Sequence, residues 1–226
     1  MLTDSGRHVQ IAPSILAADF GHMAQEVEAV TLGGADMIHV DIMDGQFVPN
    51  LTMGPDMVRS VRKATQLPID VHLMVREPER HLEKFAEAGA DLITIHVEAT
   101  SNVQAALHAI RKLGKRAGLA MNPHTSEASV ENILDELDVI LVMTINPGFS
   151  GQAFLPGMLP KLTRTHRLVA EAGHAISIEV DGGIGPKTAS VVAQAGAEIL
   201  VAGTAVFAQP DRQRAITAIR TAARGQ

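Results

Sequence analysis

Eight short apolar runs, each followed by a longer run of helical character, predict a (β/α)8 barrel, the TIM-barrel architecture, as one domain over residues 1–226. Three observations carry this expectation. Strand-like and helix-like runs alternate along the whole chain, which argues for a parallel sheet. A Gly-Gly-Ala or Ala-Gly-Ala step precedes three strands, at Gly33-Gly34-Ala35, Ala88-Gly89-Ala90 and Ala195-Gly196-Ala197. There a glycine caps the helix and the strand begins at once, the tight connection expected on the stability face of a barrel. Eight such units in 226 residues fit a barrel better than an open nucleotide-binding sheet, and no G-x-G-x-x-G follows the first strand.

Taken in order, 9–15 reads as the first strand and 20–33 as its helix, with Asp19 as N-cap and Gly33-Gly34 as the stop. The second strand is the stretch 39–45, His-Val-Asp-Ile-Met-Asp-Gly, with a helix at 55–64. Strand 68–75 precedes a helix at 78–88 that ends at Gly89, and strand 91–96 precedes one at 103–113 that ends at Gly114. The second half repeats the rhythm. Strand 116–121 has a short helix at 130–137, and strand 138–143 leads into a Gly/Pro-rich connection through 146–157 and a helix at 159–172. Strand 176–181 with helix 186–195, then strand 198–202 with helix 212–223, close the chain. No domain boundary or low-complexity linker interrupts it.

Composition narrows the function classes. Hydrophobic residues make up 46% and charged residues 19%, which is globular rather than disordered. Net charge is −6 without a basic tract, so neither nucleic acid nor an anionic membrane surface is an expected partner. The aromatics are six phenylalanines, too few to form stacking platforms for single-stranded bases. Cysteine is absent, which removes disulfides, thiolate metal sites and cysteine nucleophiles together and fits a reducing cytosol. The first ten residues hold no apolar signal core and no apolar run approaches a membrane span, so the expectation is a soluble, cytoplasmic protein.

A barrel places its working residues at the C-terminal ends of its strands. Those ends carry Ser14; His39, Asp41 and Met43; His72 and Met74; His96; Met121 and Asn122; Met143; Asp181; and Gly203-Thr204. On the second strand, alternation puts His39, Asp41 and Met43 on one face and Val40 and Ile42 on the other. A lone strand histidine is more often a hydrogen-bonded core residue than a ligand, and methionines in an apolar lining are usually packing. The set says more than any member. His39, Asp41, His72 and Asp181 would together suit one divalent ion, Zn²⁺ or else Fe²⁺, Mn²⁺ or Co²⁺, if the fold brings them to one point.

Glycine suggests a second feature. Asn146-Pro147-Gly148-Phe149-Ser150-Gly151-Gln152 follows the sixth strand, Asp181-Gly182-Gly183 ends the seventh, and Gly203-Thr204 follows the eighth. Backbone N–H groups at such turns can cradle a phosphate, and barrels commonly bind phosphate after strands seven and eight. Tight turns alone are the plainer reading of each cluster; three in adjacent loops favour phosphate.

With these residues assembled, the chain resembles the ribulose-phosphate 3-epimerase family over nearly its whole length. The matching blocks are APSILAADF (12–20), HVDIMDGQFVPN (39–50), DVHLMV (70–75), HVEAT (96–100), LAMNPHT (119–125), VMTINPGFSGQ (142–152), EVDGGI (179–184) and VAGTAVF (201–207). The resemblance implies a barrel of the ribulose-phosphate-binding type that interconverts D-ribulose 5-phosphate and D-xylulose 5-phosphate with one divalent metal per subunit. It implies His39, Asp41, His72 and Asp181 as metal ligands, and Asp41 with Asp181 as the acid/base pair. Ser14 and His72 are implied as substrate contacts, Met43, Met74 and Met143 as the methionine lining, and a homo-oligomer, dimer or hexamer, as the assembly. The phosphate loops map to Gly148, Phe149, Ser150, Gly151, Gly182, Gly183, Gly203 and Thr204. Three positions depart from the family pattern: Gln46 where histidine is usual, Ser150 where a second glycine is usual, and Thr204 for serine.

Epimerisation beside a carbonyl removes a proton from one face and returns one to the other through an enediolate, so two bases on opposite faces are needed. A Schiff-base aldolase would need a strand-end lysine, whereas Lys115, Lys161 and Lys187 fall before strands or within helices. Orotidine-phosphate decarboxylases carry Asp-x-Lys-x-x-Asp after a strand, and Asp41-Ile42-Met43-Asp44 has no lysine. D-Allulose 6-phosphate 3-epimerase, running the same chemistry on a longer sugar, is the nearer alternative. A non-catalytic phosphosugar-binding barrel is the other, and it would have lost its aspartates.

Overall fold

The eight expected strands all form and pair in parallel, in the order β1-β8-β7-β6-β5-β4-β3-β2. They are β1 (Gln10–Pro13), β2 (Ile38–Met43), β3 (Ile69–Met74), β4 (Leu92–His96), β5 (Arg116–Met121), β6 (Val139–Met143), β7 (Ser177–Asp181) and β8 (Ile199–Ala202). A parallel bridge between Ser14 and His39 brings β1 against β2 and completes the ring. The computed structural model describes residues 9–225; the expectation about a signal core at 1–8 lies outside them. The helices are α1 (Met23–Leu32), α2 (Pro55–Ala64), α3 (Leu82–Ala88), α4 (Val103–Lys112), α5 (Leu159–Ala172), α6 (Pro186–Gln194), α7 (Thr204–Phe207) and α8 (Arg212–Ala223). The Arg212 guanidinium lies 2.9 Å from the Glu26 carboxylate and ties the last helix to the first.

Four helices differ from expectation. The helix expected over 78–88 opens as a 3-10 turn, Pro78–Arg80, and α3 begins only at Leu82. Asp19 caps a 3-10 turn, Phe20–His22, and α1 begins only at Met23; Gly21 inside that first turn weakens the α conformation. The run after β5 is a 3-10 segment, Glu127–Glu136, broken at Ile133, where acidic Asp135 and Glu136 at the C-terminal end oppose a helix dipole. The short helix α7, directly after β8, has a single turn and leaves no periodic pattern to read.

Strand alternation divides the core in two. Val40 and Ile42 of β2, with Val71 and Leu73 of β3, pack outward on the helices. The barrel interior is layered. An apolar cluster of Ala12, Met37, Leu92, Val139, Ile199 and Val201 lies inside the barrel, with Val201 reaching the cavity at its C-terminal end. The buried polar groups His39, Asp70, Thr94 and Glu179 share that interior. Strand register pairs His39 with Asp70, Asp41 with His72 and Met43 with Met74, so polar and thioether layers rise in step. In this interior, a Cβ on Gly118 would collide with the Thr94 hydroxyl. Gly118→Ala is therefore expected to lose about 1–3 kcal/mol of unfolding free energy in a denaturant titration, the range for overpacking a tight core.

Candidate active site

At the C-terminal end of the barrel a cavity of about 830 Å³ opens, within the usual range for small-molecule sites. Ser14 and Asp41 line one side and Asp181 the other, with Met43, Met74 and Met143 between them. Gly148, Phe149, Ser150 and Gly151 form the wall after β6, Gly182 and Gly183 the wall after β7, and Gly203 and Thr204 the wall after β8. His39 and His72 lie beneath this floor, both fully buried. The expected metal ligands, methionines and glycine-loop residues thus meet at one place.

One ligand atom each from His39, Asp41, His72 and Asp181 falls within 4.8 Å of the others. Asp41 Oδ1 lies 3.3 Å from His39 Nε2 and 3.0 Å from His72 Nδ1. Ser14 Oγ donates to Asp41 Oδ2 at 2.5 Å and holds the carboxylate from the other side. His39 Nδ1 contacts Asp70 Oδ2 at 2.6 Å, which leaves Nε2 aimed at the cluster, and that buried nitrogen has no hydrogen-bond partner. An orphaned imidazole nitrogen among two carboxylates and a second imidazole is the donor set a borderline divalent cation prefers. The residues present fit such an ion.

Electrostatics separates the two aspartates. Burial works against ionised Asp41, but the charge of His39 and the close approach of both imidazoles hold its carboxyl well below the usual range. Burial and the charge of Asp41 push Asp181 up to about 6. Below them, burial and the charge of Asp70 push Glu179 up to about 8.

Sequence reasoning left the groups behind the cluster unassigned. Asp70 and Glu179 flank His39, with Glu179 Oε1 3.5 Å from its Nδ1. His96, noted only as a strand-end residue, has its Nε2 2.8 Å from His72 Nε2 and its Nδ1 3.1 Å from Glu98 Oε2. Burial brings His96 down to about 4, so it stays neutral at physiological pH. For Glu98, burial acts upward, but hydrogen bonds from His96, Thr125 and the Asn122 N–H bring it down to about 2. Of the other strand-end residues, Met121 packs outward among the helix-facing core, and the Asn122 carbonyl accepts from buried Lys161 Nζ at 2.7 Å.

The loops around the phosphate wall are built on glycine. Gly183 sits at φ +68, where an added Cβ would overlap the Phe154 backbone nitrogen. Only glycine lets the β7 and β6 loops approach this closely. The three departures from the family pattern all lie away from the buried cluster: Gln46, Ser150 and Thr204 are solvent-exposed, and the last two line the cavity.

A closed barrel with buried titratable groups under a strand-end cavity places the chain among the TIM-barrel enzymes. Comparison with known proteins narrows the class. The model of the Ribulose-phosphate 3 epimerase family matches residues 10–207, and the chain belongs to that family, an epimerase among the isomerases. Ribulose-phosphate 3-epimerase of Bacillus subtilis is 48% identical over 213 residues, covering 94% of this chain and 98% of that protein. The enzyme of that name from Escherichia coli is 45% identical over 212 residues, covering 93% and 94%. Among solved structures, 3-hexulose-6-phosphate synthase shares 20% identity at a TM-score of 0.68, covering 95% of this chain and 99% of that one. Orotidine 5'-phosphate decarboxylase from Pyrococcus horikoshii shares 17% at 0.70, covering 96% and 100%. At these identities the likeness is one of fold. Among the described residues, no helix is long and apolar enough to cross a membrane.

Proposed function

We propose that this chain interconverts D-ribulose 5-phosphate and D-xylulose 5-phosphate by proton transfer at carbon 3, with Asp41 and Asp181 as the acid/base pair. One observation carries the reading. Two carboxyl groups from opposite parts of the ring, β2 and β7, face one cavity, and their environments push their pKa values apart. Asp41 is held ionised, ready to accept a proton. Asp181, near 6, changes protonation state readily at working pH. A sugar bound between them would lose a proton to one carboxylate and regain one from the other on the opposite face.

His39, Asp41, His72 and Asp181 would hold one divalent cation, Zn²⁺ or else Fe²⁺, Mn²⁺ or Co²⁺. When bound, such a cation supplies Lewis-acid stabilisation of the negative charge that develops on the sugar oxygens during enolisation. Ser14 orients Asp41 through its hydroxyl and stands at the cavity wall, where it also contacts substrate. The thioethers of Met43, Met74 and Met143, all nearly buried, exclude water without offering protons. Backbone N–H groups at Gly148–Gly151, Gly182-Gly183 and Gly203-Thr204 take the phosphate.

The substrate assignment is tested by steady-state kinetics on two phosphosugars. Ribulose 5-phosphate is expected to give a kcat/KM at least about tenfold above that of D-allulose 6-phosphate, the low end of discrimination for one extra group in a fitted pocket. Equal or higher efficiency on the six-carbon sugar would shift the assignment to the hexulose.

A further inference from the structure

We propose that His96 and Glu98 are positioning residues that fix the tautomer of His72 through a relay of hydrogen bonds, keeping its Nδ1 bare toward Asp41. The inference rests on the metal-site reading above, since a bare Nδ1 matters as a lone pair offered to a cation. Neither residue touches the cavity.

The relay follows from counting donors and acceptors. Glu98 Oε1 accepts from the Asn122 N–H at 2.9 Å and from the Thr125 hydroxyl. Its Oε2, 3.1 Å from His96 Nδ1, completes a carboxylate that only accepts, so His96 donates from Nδ1. A neutral imidazole with its hydrogen on Nδ1 has a bare Nε2. That atom faces His72 Nε2 at 2.8 Å, a separation at which one nitrogen donates and the other accepts. His72 is therefore the donor, and its Nδ1, 3.0 Å from Asp41 Oδ1, is left bare. The opposite arrangement requires a doubly protonated His96, fully buried beside a site built for a cation.

The same device appears in shorter form on His39. There Asp70 takes the Nδ1–H directly and exposes Nε2. The two imidazoles thus present different nitrogens, each held from behind by a carboxylate. For His72 the carboxylate stands one ring further out. The His96 ring meets His72 edge to edge, 5.0 Å between centroids and 25° from coplanar, and packs against Phe47 at 4.7 Å, which fixes its plane. Lys161 clamps the Asn122 carbonyl and so steadies the backbone N–H that Glu98 accepts from.

Glu98→Gln tests the relay because the surroundings dictate how the new amide must sit. The Asn122 N–H can only donate, so the amide oxygen must face it and the NH₂ must face His96 Nδ1. His96 then carries its hydrogen on Nε2, and His72 is driven to protonate Nδ1, the atom aimed at the cluster. Zn²⁺ affinity of the full chain, measured by competition with a chromophoric chelator, is expected to fall about 10–100-fold. The visible spectrum of the Co²⁺-loaded protein is expected to change, while the Tm of the metal-free protein stays near wild type. Wild-type Zn²⁺ affinity and an unchanged Co²⁺ spectrum in Glu98→Gln overturn the proposal, as does a lowered metal-free Tm with unchanged affinity. If wild type itself binds no Zn²⁺, the metal-site reading and this one fall together. Should the variant not fold, ¹⁵N-histidine spectra of zinc-loaded wild type decide the matter. His72 protonated on Nε2 and His96 on Nδ1 support the relay, and His72 protonated on Nδ1 overturns it.

Discussion

Asp181→Asn is expected to lower kcat by about 10²–10⁴-fold, the range for removing a positioned general acid or base, while phosphosugar binding persists. The substitution is nearly isosteric and keeps the side chain at the end of β7, between the carboxylate of Asp41 and the phosphate wall. What it removes is the exchangeable proton of a group poised near pH 6 by burial and by the charge of Asp41. The backbone of Gly182 and Gly183 still forms its part of the cradle, so affinity for a phosphosugar should change far less than turnover. Measuring kcat at several metal concentrations separates lost proton transfer from weakened metal binding, because only the second is restored by excess cation. Near-normal kcat would remove Asp181 from the acid/base role.

Exhaustive chelation is the second large effect. Metal-free protein is expected to lose essentially all turnover, and added Zn²⁺, Mn²⁺, Fe²⁺ or Co²⁺ to restore it. The cluster also predicts a stability change. An ion that binds only the folded chain adds about 2.7 kcal/mol when present at a hundred times its dissociation constant. Chelation should therefore lower the Tm as well as the rate, and Mg²⁺, which prefers oxygen-rich octahedral sites, should restore little of either. Full activity in thoroughly metal-free protein would contradict the metal site.

The fold was legible because its signals are repeated and local. Each strand is a short apolar run, and the Gly-Ala steps at 34–35, 89–90 and 196–197 mark where helices stop. The failures are local too. Residues 127–136 carry apolar residues but end in acids that undo a regular helix, and α7 is too short to show a period. Of the candidate site, period-two alternation already placed His39, Asp41 and Met43 on one face. The same rule, applied to Asp70 before His72 and to Glu179 before Asp181, points to the carboxyl groups beneath them, a signal present but unread. His96 and Glu98 were harder. That His96 Nε2 meets His72 Nε2 depends on the register of β3 on β4 and on side-chain directions inside the ring, which closure of the barrel sets. That Glu98 accepts from the Asn122 N–H depends on a loop contact across 24 residues.

The central claim is reversible proton removal at carbon 3, and its most direct measurement is deuterium incorporation. Ribulose 5-phosphate incubated with the holoenzyme in ²H₂O and followed by NMR should gain one deuterium at carbon 3 in both the recovered ketose and its xylulose epimer, with no label at carbons 1, 4 or 5. Conversion to xylulose 5-phosphate with retention of the original hydrogen, or label at any other carbon, would contradict it.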